Sequence, residues 1–123
     1  MVLGLGADLV ELARMERLVD RLTPYAARLV FAPAEVERLS RGAAYAAGRF
    51  AVKEALLKAA GVGFAHGLAR LGEIETREGA RGAPVVVTTG RVASLLEERG
   101  VRDIHVTISH ERTHAVAVVI LIG

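Results

Sequence analysis

The chain has 123 residues, 52% hydrophobic but only 4% aromatic, with 16 basic and 14 acidic side chains and a formal net charge of +2. That length predicts one domain, 1–123, around a core of Val, Leu, Ile and Ala, whose small side chains bury little area and make self-association an expectation. Without cysteine there is no disulfide and no thiol chemistry, the cytoplasm is the default compartment, and so mild a charge does not by itself point to nucleic acid.

Met1–Leu9, MVLGLGADL, has no basic n-region, which argues against a signal peptide, and reads as a short buried strand ending at Asp8. Asp8 is expected to cap a helix running to about Thr23, with Glu11 three residues on as a capping box. Leu12, Met15, Leu18, Val19 and Leu22 make the core face of that helix. Arg14, Arg17 and Arg21 fall on one stripe at i, i+3 and i+7. A solvated face is the ordinary explanation. Three like charges repel unless an acid meets them, so an acidic partner is the second reading. Pro24 ends this helix, Pro33-Ala34-Glu35 opens a short one through Leu39, and Ser40–Ala44 is a connector.

Tyr45–Gly63, YAAGRFAVKEALLKAAGVG, is the stretch that organises the rest. As a helix it carries an apolar stripe of Gly48, Val52, Ala55, Leu56 and Ala59. Glu54 and Lys58 lie opposite, one turn apart, among Phe50, Ala47 and Ala51, with Arg49 and Lys53 on a third edge. A helix apolar on two sides is expected to be covered on both, which would place Glu54 and Lys58 in a crevice. Every basic residue except Lys53 and Lys58 is arginine, which suggests a need for a compact ammonium. Gly61 and Gly63 read as a C-cap and turn, since the phosphate-attracting end of a helix is its N-terminus.

Ala65–Arg70 reads as a loop with an exposed His66. Leu71–Arg77 and Pro84–Thr89 read as strands, Gly90–Arg99 as an amphipathic helix, and Asp103–Ser109 as a strand with Ile104, Val106 and Ile108 inward. After a turn at Glu111–Thr113, Ala115–Ile122 is expected to be an apolar strand buried on both faces; it is far shorter than the ~20 residues of a membrane helix. The sum is an α+β fold, an antiparallel sheet packed against a long helix and shorter helices.

Candidate chemistry is sparse. There is no G-x-S-x-G elbow and no H-E-x-x-H, which leaves Asp8, Glu54, Lys58 and His110. Two carboxylates without histidine or sulfur ligands suit a hard cation: magnesium takes one or two carboxylates, keeps waters and completes its shell with phosphate oxygens. An adjacent lysine would offset phosphate charge. The competing explanation is an ordinary i, i+4 pair worth ~0.2–0.5 kcal/mol, which the spacing alone favours and the alanine-lined setting weakens. His110 by itself reads as a structural histidine bonded to backbone.

GLGADLVELARMERL, FAPAE at 31–35, YAAGRFAVKEALLKAAGVG and HVTISHERTHAVAVVI together resemble the holo-acyl-carrier-protein synthases, the small bacterial 4'-phosphopantetheinyl transferases, in order from Gly4 to Ile120. The resemblance implies binding of coenzyme A and Mg²⁺ and transfer of phosphopantetheine to a serine of an acyl carrier protein, releasing adenosine 3',5'-bisphosphate. It implies that Asp8 and Glu54 hold the metal on the pyrophosphate and that Lys58 contacts the phosphates and assists the leaving group. His110, with Arg49 as a second candidate, would reach a phosphate near the adenosine. The serine proton would go to Glu54 or to a metal-bound water that Glu54 orients. Arg14, Arg17 and Arg21 would dock the acidic carrier, and a homotrimer would place its active sites between neighbours. Many relatives have Gly-Thr-Gly after the long helix; Val62 removes that hydroxyl, so a contact at Gly61 would come from backbone amides. Two other classes stay open on the residues alone: a magnesium-dependent nucleotide pyrophosphatase, and a non-catalytic module gripping an acidic protein or RNA.

Overall fold

The structure, a computed structural model, describes residues 1–62 and 68–123. In chain order it runs β1 (Val2–Glu11), α1 (Leu12–Arg21), α2 (Pro24–Val30), α3 (Pro33–Val36), α4 (Ala43–Ala59), β2 (Ile74–Glu78), β3 (Pro84–Thr88), α5 (Gly90–Glu98), β4 (Asp103–His110) and β5 (His114–Ile122). Short 3-10 turns cover Leu39–Arg41, Leu68–Glu73 and Ala80–Gly82. β1, β5 and β4 form an antiparallel sheet in that order, and β2 and β3 form a separate hairpin. The fold class is therefore the α+β arrangement expected.

One face of the sheet lies on α4. On β5 the alternating Ala115, Ala117, Val119 and Leu121 are buried, and they stand opposite Val10, Asp8, Gly6 and Gly4 of β1. The two glycines set how closely strand and helix approach. A Cβ at Gly4 would stand 1.9 Å from the Ala59 carbonyl oxygen, and one at Gly6 would stand 2.0 Å from that of Ala55. Only glycine allows this backbone-to-backbone contact. Around α4 the core closes with Met15, Phe31, Ile74, Val92 and Leu96.

Asp8 is not a helix cap. β5 offers ladder partners out to His114, so β1 continues to Glu11. α1 starts only at Leu12, whose N–H goes to the Thr113 carbonyl at 2.9 Å, and Glu11 makes no side-chain cap bond. Paired backbone groups outweigh a local Asx cap here. Pro24 does more than end α1: it opens α2, with Thr23 Oγ1 accepting from Ala26 N at 3.1 Å. Thr-Pro is a cap followed by a proline at the first helical position, a start signal that the sequence carried. α3 stops at Val36 rather than Leu39, α4 begins within the expected connector at Ala43, and β2 starts at Ile74 rather than Leu71.

The outer sheet face corrects the burial expected of β1 and β5. Leu5 and Leu9 are 64% and 63% exposed, and Val116, Val118, Ile120 and Ile122 are only half-buried. Among the described residues no element covers this face. Gly61 adopts φ +71° just past α4, as a C-terminal turn requires. Gly63 and His66 lie outside the described residues. No described helix is long and apolar enough to cross a membrane.

Candidate active site

Where β1 crosses α4, three charged side chains come together. Asp8 sits on the α4-facing side of β1, because it pairs with the buried Ala117. Lys58, in the last turn of α4, donates to Asp8 Oδ1 at 3.0 Å and to the Ala7 carbonyl at 3.1 Å. Glu54 lies one turn earlier and is 8% exposed. The expected crevice therefore holds Glu54 but not Lys58, whose side chain is 55% exposed. The i, i+4 pair is not what forms: Lys58 pairs with Asp8, not Glu54.

Glu54 Oε1 is buried without a hydrogen-bond partner among the described residues. Burial, reinforced by the negative charge of Asp8, pushes its carboxyl up from the usual 4.5 to about 7, and Lys58 and Arg14 only partly oppose this. A buried carboxylate oxygen lacking a donor is costly, and a second carboxylate beside it compounds the strain on the anionic form. A divalent cation between them would remove both penalties. Among the described residues no group of three or more His, Cys, Asp or Glu could hold a metal. Two carboxylates fit a hard cation that retains waters and takes its other ligands from a substrate, and they do not fit a protein-enclosed zinc site.

The remaining predicted residues are distributed differently. Arg14, Arg17 and Arg21 are exposed on α1, and the charge of Arg14 reaches Glu54. His110 ends β4 on the α4-facing side, opposite Ala115, with an exposed ring that has no hydrogen-bond partner among the described residues. β5 intervenes between it and Asp8, and their partners Ala115 and Ala117 are two residues apart along β5, so the two stand roughly 12 Å apart. Arg49 leaves α4 on another side. Its guanidinium stacks 4.4 Å from the Tyr45 ring centroid and lines a cavity of about 640 Å³ with Arg38 and Thr76, apart from the three-residue cluster.

Lys53, on the edge of α4 shared with Arg49, points inward. It is fully buried and pairs with Glu35 at 2.6 Å. Burial pushes the lysine pKa down, and the Glu35 carboxylate offsets this only in part. The signal for the pair was present in the sequence: a lysine within the apolar stretch of a helix, and a glutamate two residues past the proline that opens a helical turn. Its carboxylate accepts from Ala32 N at 2.9 Å.

Comparison with known proteins adds a family to this geometry. The model of the 4'-phosphopantetheinyl transferase superfamily matches residues 4–119. The holo-[acyl-carrier-protein] synthase of Syntrophus aciditrophicus is 41% identical over 126 residues, covering 100% of this chain and 98% of that protein. The crystal structure of the holo-[acyl-carrier-protein] synthase from Neisseria meningitidis superposes with a TM-score of 0.87 at 29% identity over the whole of both chains. That of the Bacillus anthracis synthase, in complex with CoA (3',5'-ADP), superposes at 0.74 with 31% identity, over 98% of this chain and 96% of that one.

Proposed function

The chain belongs to the holo-[acyl-carrier-protein] synthases of the 4'-phosphopantetheinyl transferase superfamily, and on that premise we propose a magnesium-dependent transfer centred on Asp8, Glu54 and Lys58. Coenzyme A donates its phosphopantetheine to a serine of apo acyl carrier protein, and adenosine 3',5'-bisphosphate leaves. Asp8 and Glu54 would hold Mg²⁺ against the pyrophosphate, where the ion supplies Lewis-acid polarisation of the phosphate oxygens. The serine oxygen bonds to the β-phosphorus as the bond to the bridging oxygen of the α-phosphate breaks. Lys58, exposed and already aimed at Asp8, would meet the charge that develops on the leaving phosphate. Glu54, directly or through a water, would take the serine proton.

The observation that carries this reading is the buried, unpartnered Glu54 oxygen beside the Asp8–Lys58 pair. The deciding experiment incubates apo acyl carrier protein with the enzyme, coenzyme A and Mg²⁺ and follows mass. A gain of one phosphopantetheine, with adenosine 3',5'-bisphosphate formed in equal amount and both lost on chelation, is expected. No mass gain at saturating substrate overturns the transfer, and full activity under chelator overturns the metal.

The reading extends to assembly. Coenzyme A is larger than the three-residue cluster, and His110 and the backbone at Gly61 are further candidates to hold it, with Arg49 a weaker one. His110 faces the same side as Asp8 but stands at the far sheet edge, so it would serve a neighbouring subunit's substrate more readily than its own. The uncovered outer face with Leu5 and Leu9 supports a homotrimer with active sites between subunits, acting in the cytoplasm. Arg14, Arg17 and Arg21 would dock the acidic carrier. For Arg17→Glu/Arg21→Glu the KM for carrier protein is expected to rise about tenfold or more, with kcat within threefold and a weakened salt dependence. An unchanged KM would remove α1 as the docking surface.

A further inference from the structure

Lys53 directly precedes Glu54, yet the two side chains leave α4 about 100° apart and meet different neighbours. The Lys53 ammonium donates to Glu35 Oε1 at 2.6 Å, to the Leu71 carbonyl at 3.1 Å and to the Ile74 carbonyl. Glu35, 1% exposed, also accepts from Ala32 N at 2.9 Å and from Thr76 N at 3.0 Å. All three ammonium hydrogens are used, and the carboxylate has three donors. The node joins the turn before α3, the middle of α4 and the start of β2.

Stability alone does not call for such a pair, since apolar residues of similar volume stabilise a buried site as well or better. Orientation does. α4 is buried on nearly every side by small apolar residues, including Ala46, Ala47, Ala51, Ala55 and Ala59. Packing of that kind distinguishes weakly between rotations about the helix axis. Three directional bonds from one side chain distinguish strongly. We propose that the Glu35–Lys53 pair is a positioning device that sets the rotation of α4, so that Glu54 faces Asp8. Gly4 and Gly6 set the separation of β1 from α4; Lys53 and Glu35 set the angle. This inference rests on Glu54 belonging to the active site.

The test replaces both charges by apolar residues of similar size, Glu35→Leu/Lys53→Met, in the full chain. The variant is expected to melt within a few degrees of the parent and to keep its KM for carrier protein, while kcat falls tenfold or more. Binding of Mn²⁺ in the presence of coenzyme A, read by electron paramagnetic resonance, is expected to weaken by a similar factor. A folded double variant with kcat within twofold and unchanged Mn²⁺ binding overturns the proposal, because a merely structural pair would be replaced without such a change. Should the double variant not fold, Glu35→Gln asks the same question: kcat is expected to drop threefold or more with weaker Mn²⁺ binding, and no change in either overturns it. Glu54→Gln is assayed in parallel. If that variant is active, the site reading itself fails; if it is inactive beside a fully active double variant, only the positioning role fails.

Discussion

Glu54→Gln is expected to lower kcat by about 10³-fold, several kcal/mol of transition-state stabilisation, because it removes one metal ligand's charge and the proton acceptor together. The fold should survive, and in one respect improve. The Glu54 carboxyl is raised from 4.5 to about 7 in the folded chain, first by burial and then by Asp8. The folded state thus favours the protonated form. Its contribution is fully present below about pH 4.5 and is lost as pH rises through about 7, a loss of at most about 3 kcal/mol. Metal-free parent protein should therefore become less stable across that window, and Glu54→Gln should not. Melting temperatures from pH 4.5 to 8 in the presence of a chelator, beside kcat at pH 7.5, check both halves. A variant with near-parental turnover would take Glu54 out of the site. Identical pH–stability curves would deny that its carboxylate is destabilised by burial. A site that strains its own apo state and is relieved by its ligand is a common exchange of stability for function.

The second large effect is structural. Gly6→Ala adds a Cβ 2.0 Å from the Ala55 carbonyl oxygen and 2.7 Å from the Ala59 nitrogen. Both are backbone atoms of α4, so neither can rotate away, and β1 must lift off the helix. Overpacking of this severity costs about 3 kcal/mol, roughly 10 °C in melting temperature for a domain this size. Asp8 lies two residues along the same strand, so kcat should fall even at temperatures where the variant is fully folded. A melting temperature within 2 °C of the parent would show that the strand–helix contact is looser than the geometry states. Full activity in a destabilised variant would show that Asp8 does not depend on it.

Several elements were legible from local pattern. The apolar periodicity of α4, the alternation of Ile104, Val106 and Ile108 in β4, and the Gly61 turn all have the form their spacing predicts. Each depends on interactions within a few residues, where side-chain direction repeats with a fixed period. The misjudged places are those where distant partners decide. Asp8 has the local chemistry of a helix cap, but the β5 ladder, more than a hundred residues away along the chain, keeps it in a strand. Ala115–Ile122 is apolar throughout, yet only alternate residues are buried, because α4 covers one face of the sheet and no described element covers the other.

By itself the sequence determined the family, through the order and content of its motifs, and which side chains are available for phosphate chemistry: two acids, one lysine and one histidine in a chain without cysteine. Tertiary structure alone decided which of them meet. It joined Asp8 to Lys58 rather than Lys58 to Glu54 and stood His110 apart across the sheet. It also sent Lys53 inward to Glu35. Charges find partners by distance in space, and that distance is set by strand pairing and by how closely two glycines let a strand approach a helix, neither of which is written in the spacing of residues along one segment.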